Sequence, residues 1–314
     1  MRKDLITTAI GIMTASLSLF GQTDAYIKLH DAHGMHPRIV SITFPGDANT
    51  LDMYNSIYGH GAVLENPWLA FRIYMDNRQS IDLYVKQTPR LELDKTGFYT
   101  TPEQIQEGYG CDVLWAGKSI AAGSFRGWHG NNPVTIDSVR TRTQTVISDN
   151  TAEIRDSAWM FNGHPVDMIQ RYKVNADSRD MEVEISLKGF SDEDLFCTGI
   201  QKLESENRGF IHPSGSAASW GRNIPDKNLP EMTEDVGLAI FVKPENIVKS
   251  LEDDLNYLFI VKPDKNGKIK YRVSACGSRE ISGYKSAEEW FGHIRDMSNS
   301  SLDLQTMDVP EHCR

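Results

Sequence analysis

The sequence predicts a mainly β protein, a large antiparallel β-sandwich with two short helices, and three observations carry that prediction. From Val134 onward apolar and polar residues alternate in run after run, the period of strands with one buried face. The stretch Leu69 to Lys86 reads as two such runs joined by a turn at Asp76, Asn77 and Arg78. Strong helix-start signals are rare, so strand periodicity dominates.

Residues 1–21 open with Arg2 and Lys3, run through apolar residues from Leu5 to Phe20, and end in small or polar ones, the pattern of a secretory signal peptide. The apolar run is short for a membrane span and is interrupted by Thr and Ser. The mature chain is expected to begin near residue 22, to be secreted into the periplasm without a membrane span, and to form one sandwich domain over 22–314. No Pro, Gly or Ser tract divides it.

Asp24 to His36 is rich in His and Asp. His30, His33 and His36 lack the i, i+4 helical spacing that gives a zinc motif its specificity, so no metal is assigned and a strand from Ala25 to Leu29 feeding a loop is expected. Arg38 to Phe44 is a further strand, followed by a turn cluster from Pro45 to Asn49.

The hairpin follows. Leu69, Phe71, Ile73 and Met75 share one face with Ile81, Leu83 and Val85; Arg72, Tyr74, Asp82, Tyr84 and Lys86 share the other. Arg78 lies in the turn, and His60, Glu65 and Asn66 in the lead-in, ahead of the first strand. Such a polar face suits a sugar, because Arg, Asp and Asn hold carboxylates and hydroxyls while aromatic rings lie on pyranose faces. An ordinary solvated face with cross-strand ion pairs would carry the same residues.

Thr101, Pro102 and Gln104 supply an N-cap, a first-position Pro and a capping-box partner, predicting a helix from about Pro102 to Glu107. Gly108 to Asn132 is dense in Gly and carries Tyr109, Asp112, Trp115, Trp128 and His129. Trp115 is expected in the core, and Trp128 with His129 on loops at the site. Strands are then expected over Ser138 to Ile147, Val166 to Val174, Met181 to Lys188, Val236 to Val242, Tyr257 to Val261 and Lys268 to Ala275. Arg208 to Glu234, with His212 and Trp220, reads as a long functional loop. A second helix is expected from Ser286 to about Met297, where Ser286 and Glu289 make a capping box and Trp290, Phe291 and Ile294 a stripe.

With 33 basic and 43 acidic residues the net charge is −10, which argues against a nucleic acid partner. An anionic sugar remains compatible, because Arg72, Arg78, Lys86 and Arg90 cluster in one segment. Cys111, Cys197, Cys276 and Cys313 form no metal pattern. In an oxidising compartment they would make up to two disulfides in one of three pairings, or stay as buried thiols.

The segments YGHGAVLEN, LAFRIYMDNRQSIDLYVK and GYGCDVLWAGKSIAAGSFRGW resemble the family catalogued as domain of unknown function 4861, over nearly all of the mature chain. That family occurs mainly in secreted proteins of polysaccharide-degrading bacteria. The resemblance implies periplasmic glycan breakdown, an oligosaccharide or polysaccharide ligand, and a supersandwich like that of galactose mutarotases and some polysaccharide lyases. It assigns no residue roles and no cofactor.

Four functions fit these residues. An enzyme acting on uronate-containing oligosaccharides by β-elimination needs groups that hold the carboxylate, here Arg72, Arg78 and Asn66. It also needs a base, from His60, His129, His164, His212, Tyr74 or Tyr109. A glycoside hydrolase would use paired carboxylates among Glu65, Asp82 and Asp112. A sugar epimerase or mutarotase would use the same residue types, and a glycan-binding sandwich would use the aromatic and Arg face without turnover. The loops bearing His60, Trp128, His129 and His212 are expected to converge on Arg72 and Tyr74.

Overall fold

The computed structural model describes residues 22–31, 33–46, 55–203, 209–223 and 233–307. Residues 1–21, expected to be a signal peptide, the turn from Pro45 to Asn49 past Gly46, and Cys313 lie outside these.

The chain begins with β1 (Asp24–Leu29), β2 (Arg38–Ile39), β3 (Ser41–Pro45), β4 (Ile57–Glu65), β5 (Leu69–Tyr74) and β6 (Ile81–Val85). Helices α1 (Leu93–Thr96) and α2 (Pro102–Gln106) follow, then β7 (Cys111–Asp112), β8 (Arg126–His129) and β9 (Asn132–Val134). Next come the long strands β10 (Thr141–Ser148), β11 (Thr151–Phe161), β12 (His164–Val174), β13 (Asp180–Lys188) and β14 (Leu195–Gln201). The last part holds β15 (Gly209–His212), β16 (Ser216–Arg222), β17 (Asp235–Val242), β18 (Ile247–Glu252), β19 (Asn256–Val261), β20 (Lys268–Gly277) and α3 (Ala287–Met307).

These strands form antiparallel sheets of six (β2-β1-β4-β5-β6-β7), nine (β15-β16-β17-β20-β13-β12-β11-β10-β3) and five (β18-β19-β14-β8-β9) strands. The nine-stranded sheet is the platform. Its inward residues, among them Met168, Tyr172, Val183, Ile185, Tyr271 and Val273, share one apolar core with Phe71, Ile73 and Leu83 of the six-stranded sheet and with Phe196 and Ile200 of the five-stranded one. The fold is thus a mainly β sandwich of antiparallel sheets, as the alternation predicts.

Met181, Val183, Ile185 and Leu187 point inward as expected. The capping box at Thr101 and Gln104 is present with both hydrogen bonds. Ser286 accepts from the Glu289 backbone at 3.2 Å, and Trp290, Phe291 and Ile294 bury their stripe against Ala218, Trp220 and Ala239 on the outer face of the nine-stranded sheet. The helix runs on to Met307, further than Met297.

Several expectations are corrected. Arg38 to Phe44 is two strands, one in each of two sheets. His60 and Glu65 lie inside β4, since the Gly residues that read as a loop instead build a bulge. Arg208 to Glu234 contains the hairpin β15–β16, with Trp220 buried under α3. The helix α1 carries no capping side chain, so it left no signal in the sequence. The two tryptophans exchange places: Trp115 is 61% exposed, whereas Trp128 is 6% exposed and packs with Ile120, Cys197, Leu258 and Ile260. Cys111, Cys197 and Cys276 are buried free thiols.

A polar network crosses the core. Arg142 donates to Asp156 at 2.5 Å, Gln79 donates to Asp156 at 2.7 Å, and Gln144 accepts from the Ala62 backbone while donating to the Ile73 carbonyl. Gln144 thereby pins β4 to β5 from beneath, at the point where β4 bulges.

Candidate active site

The bulge originates in YGHGA. Between β1 and β4 the register passes from Tyr26↔Val63 to Lys28↔Tyr58, so the intervening residues of β4 loop out of the ladder. Gly59 at φ +72° and His60 at φ +67° occupy the left-handed region. At Gly61 a Cβ would stand 1.8 Å from the Ile73 carbonyl oxygen, so only glycine lets β4 approach β5 here. The result sets the His60 ring over that of Tyr74, centroids 6.1 Å apart.

Beside the bulge, Arg72 and Asp82 face each other directly across β5 and β6. Arg72 Nη2 donates to Asp82 Oδ2 at 2.5 Å, to the Tyr74 hydroxyl at 2.8 Å and to Asp112 Oδ2 at 3.2 Å. The Tyr74 hydroxyl in turn donates to Asp82 Oδ2 at 2.5 Å. The guanidinium carbon sits 4.2 Å from the Phe98 ring centroid and 5.0 Å from each of Tyr74 and Tyr99, a cage of three rings around one cation. Arg72 Nε and Nη1 are buried and meet no acceptor among the described residues.

The electrostatics follow from this enclosure. Burial alone would lower Arg72, but the charges of Asp82 and Asp112 outweigh it and hold the guanidinium above its ordinary value. Burial, and then the Asp82 charge, push the Asp112 carboxyl well above the usual carboxylate range against the pull of Arg72. Burial and Asp82 likewise raise the Tyr74 phenol, so it keeps its proton and acts as a donor.

Further along the same face the row is sealed. Tyr84 donates to Glu92 at 2.9 Å, and Lys86 donates at 2.6 Å to Glu65, which also accepts from the Glu92 and Leu93 backbones at the start of α1. Asn66 caps the β4–β5 turn through the Trp68 and Leu69 amides and donates to the Asn175 and Ser178 carbonyls. Glu65, Asn66, Tyr84 and Lys86 are therefore corrected from a solvent-facing sugar surface to buried residues that fasten α1 and the turns. Segment 93–112 folds over Tyr84 and Glu65, and the Asn175 and Ser178 carbonyls meet Asn66, which strand alternation does not reveal. Burial pushes Glu65 up and Lys86 down.

The remaining candidates lie in other places. Arg78 pairs with Asp76 at 2.9 Å in the β5–β6 turn, and Tyr109 stacks under Arg90 at 4.1 Å. His129 Nδ1 meets Asn162 at 2.9 Å, Asn162 donates to Asp194 at 2.8 Å, and Asp194 holds His164 Nε2 at 2.8 Å, so His129 and His164 form one chain of their own. His212 bonds Ser214 at the β15–β16 turn. Of the expected convergence, His60 reaches Tyr74, which is itself bonded to Arg72. Trp128, His129 and His212 do not join them, because Trp128 is core and each of these histidines is committed to a turn in another sheet.

Sequence reasoning missed Phe98 and Tyr99, which complete the cage, and Tyr58, which stacks on His36 at 3.9 Å beside His30. The aromatic run Phe98-Tyr99 in a loop was the available signal.

The fold and this cluster define a class: an antiparallel β-sandwich carrying a caged, buried Arg–Asp–Asp–Tyr network beneath a rim of Tyr and His. Residues 20–301 match the family model described as domain of unknown function DUF4861, and the chain belongs to that family. A search of curated proteins finds no match. Among solved structures it is similar to the family GH92 inverting mannosidase of Bacteroides thetaiotaomicron, with 10% identity, TM-score 0.38 and 82% of this chain covered. It is also similar to the 4-alpha-glucanotransferase of Thermococcus litoralis, with 11% identity, TM-score 0.33 and 69% covered. The chain spans 34% and 39% of those two chains.

Proposed function

We propose that this is an exported, periplasmic carbohydrate-active protein, one domain from residue 22 onward, and that the Arg72 cluster is the acid/base centre of a glycoside hydrolase. The pairing of Asp82 and Asp112 on a single nitrogen of Arg72 carries this reading. Two carboxyls whose surroundings treat them differently are what hydrolysis of an acetal needs. Asp112, held protonated by burial and by its neighbour, donates a proton to the leaving oxygen as the glycosidic bond breaks. The Asp82 carboxylate, paired with Arg72, supports the positive charge that develops at the sugar carbon, to which a water molecule then adds, its released proton restoring Asp112.

β-Elimination is less well supported, since Tyr74 is raised rather than lowered and so makes a poor base. Both carboxyls are buried, and Tyr99, 55% exposed, is the most open ring of the cage around Arg72. That burial favours one second reading: a binding protein whose Tyr58 and Tyr99 rings hold sugar while the Arg72 cluster only supports them.

The test is a panel of acidic and neutral oligosaccharides, scored both for new reducing ends and for the absorbance of an unsaturated uronate. Reducing ends without unsaturation, lost in Asp112→Asn, support hydrolysis. An unsaturated product favours elimination, and binding without turnover favours the second reading.

A further inference from the structure

On the opposite outer face, that of the nine-stranded sheet, strand register builds a row that the Arg72 cluster does not involve. Lys173 lies opposite Glu182, Glu182 opposite Arg272, Arg272 opposite Phe241, and Phe241 opposite Ser216, so one line of side chains runs across β12, β13, β20, β17 and β16. At the strand spacing of about 4.8 Å this line is roughly 19 Å long. It lines a cleft of about 470 Å³, to which Ser298 of α3 and Ser214 and Lys243 also contribute.

The charges in the cleft are unevenly satisfied. Arg171 is neutralised by Glu153 at 2.8 Å, and Lys270 by Glu184 at 2.7 Å. Glu182 accepts from Asn175 at 2.9 Å rather than from a cation. Lys173, by contrast, has no ion-pair partner among the described residues, and Lys243 has Glu245 only at 3.6 Å. Arg272 lies 4.6 Å over the Phe241 ring and reaches Asp180 at 3.4 Å, while its Nε is buried with no acceptor among the described residues. Cationic groups with spare donors therefore stand at one end of the row, Lys173, and at its centre, Arg272, with the Glu182 carboxylate between them and the Ser216 hydroxyl at the far end.

We propose that this cleft is a second binding site, for an extended oligosaccharide bearing carboxylates. Arg272 and Lys173 take the carboxylates, while Glu182, Ser214 and Ser216 take hydroxyls. The choice of a sugar rests on the carbohydrate reading above; the preference for an anionic one rests on the cleft alone. The site lies on the far side of the sandwich from Arg72, so it holds the polymer without acting on it.

The test is calorimetric titration of the mature protein with oligogalacturonides and with cello-oligosaccharides of equal length, in wild type, Arg272→Gln, Lys173→Gln and the control Lys265→Gln, each checked for folding by circular dichroism. Expected are binding of the oligogalacturonide in preference to the neutral chain, weakening with added salt, an affinity about tenfold or more lower in Arg272→Gln and Lys173→Gln, and no change in Lys265→Gln, an exposed cation outside the cleft. Equal affinity for the neutral chain, unchanged affinity in both cleft variants, or no binding by wild type would overturn the proposal. Wild-type binding without any turnover would defeat the hydrolase reading and leave the cleft standing.

Discussion

Asp82 and Asp112 share one nitrogen of Arg72, at 2.5 and 3.2 Å, with their side chains almost wholly enclosed. Two carboxyls and one guanidinium cannot all be charged in so dry a place without one carboxyl giving way. Burial and the neighbouring Asp82 charge raise Asp112, which lacks the Tyr74 hydroxyl that Asp82 accepts.

The variants at this cluster should differ sharply in stability. Arg72→Met strands two acids and is expected to cost about 3–5 kcal/mol, whereas Asp112→Asn replaces a neutral acid by a neutral amide and should cost about 1 kcal/mol or less. Urea unfolding of both variants checks the contrast, and equal losses would show that Asp112 is ionised.

A pH dependence follows from the same shift. Because the folded-state value of Asp112 is raised, its contribution is fully present below the unfolded value of about 4 and is lost as pH rises toward the folded value. Asp112→Asn removes that loss, so its stability relative to wild type should improve as pH rises above about 4, by at most about 1.4 kcal/mol per pH unit. Unfolding curves collected across that range give the slope directly.

The Lys86–Glu65 pair should matter for folding and not for sugar. Lys86→Met leaves Glu65 buried without its cation and is expected to cost about 3–5 kcal/mol, part of which Lys86→Met with Glu65→Leu should recover. Sugar affinity of the refolded double variant should match wild type, because this pair is sealed under α1.

The thiols give a further check. Burial pushes Cys197 up to about 12 and raises Cys111 and Cys276 as well. In Cys313→Ser, an aromatic disulfide reagent should label the native protein slowly and all three cysteines rapidly in denaturant. Fast labelling of the native form would contradict their burial.

Much of the fold was legible because it rests on local rules. The Phe71/Arg72 alternation placed every side chain of the hairpin on its correct face, and Thr101–Gln104 announced its helix through capping chemistry. What covers a face is not local. Nothing in Ile81–Val85 tells that residues 93–112 fold back over Tyr84, so the row that read as a surface is interior. Trp115 and Trp128 were exchanged for the same reason: each sits among glycines, and only the partners brought by β14 and β19 decide which is buried. Within the site, Arg72, Tyr74, Asp82, Asp112 and His60 were readable as residue types, whereas the cage of Phe98 and Tyr99 depended on that folding back.

The most direct measurement is the turnover of Asp112→Asn beside wild type on one oligosaccharide that wild type degrades, with reducing ends and unsaturated product read from the same sample. The hydrolase account predicts a rate lower by about 10² to 10⁴ in a variant of nearly wild-type stability, with no unsaturated product from either protein. Wild-type turnover in Asp112→Asn, or unsaturated product at the rate of chain cleavage, would contradict it.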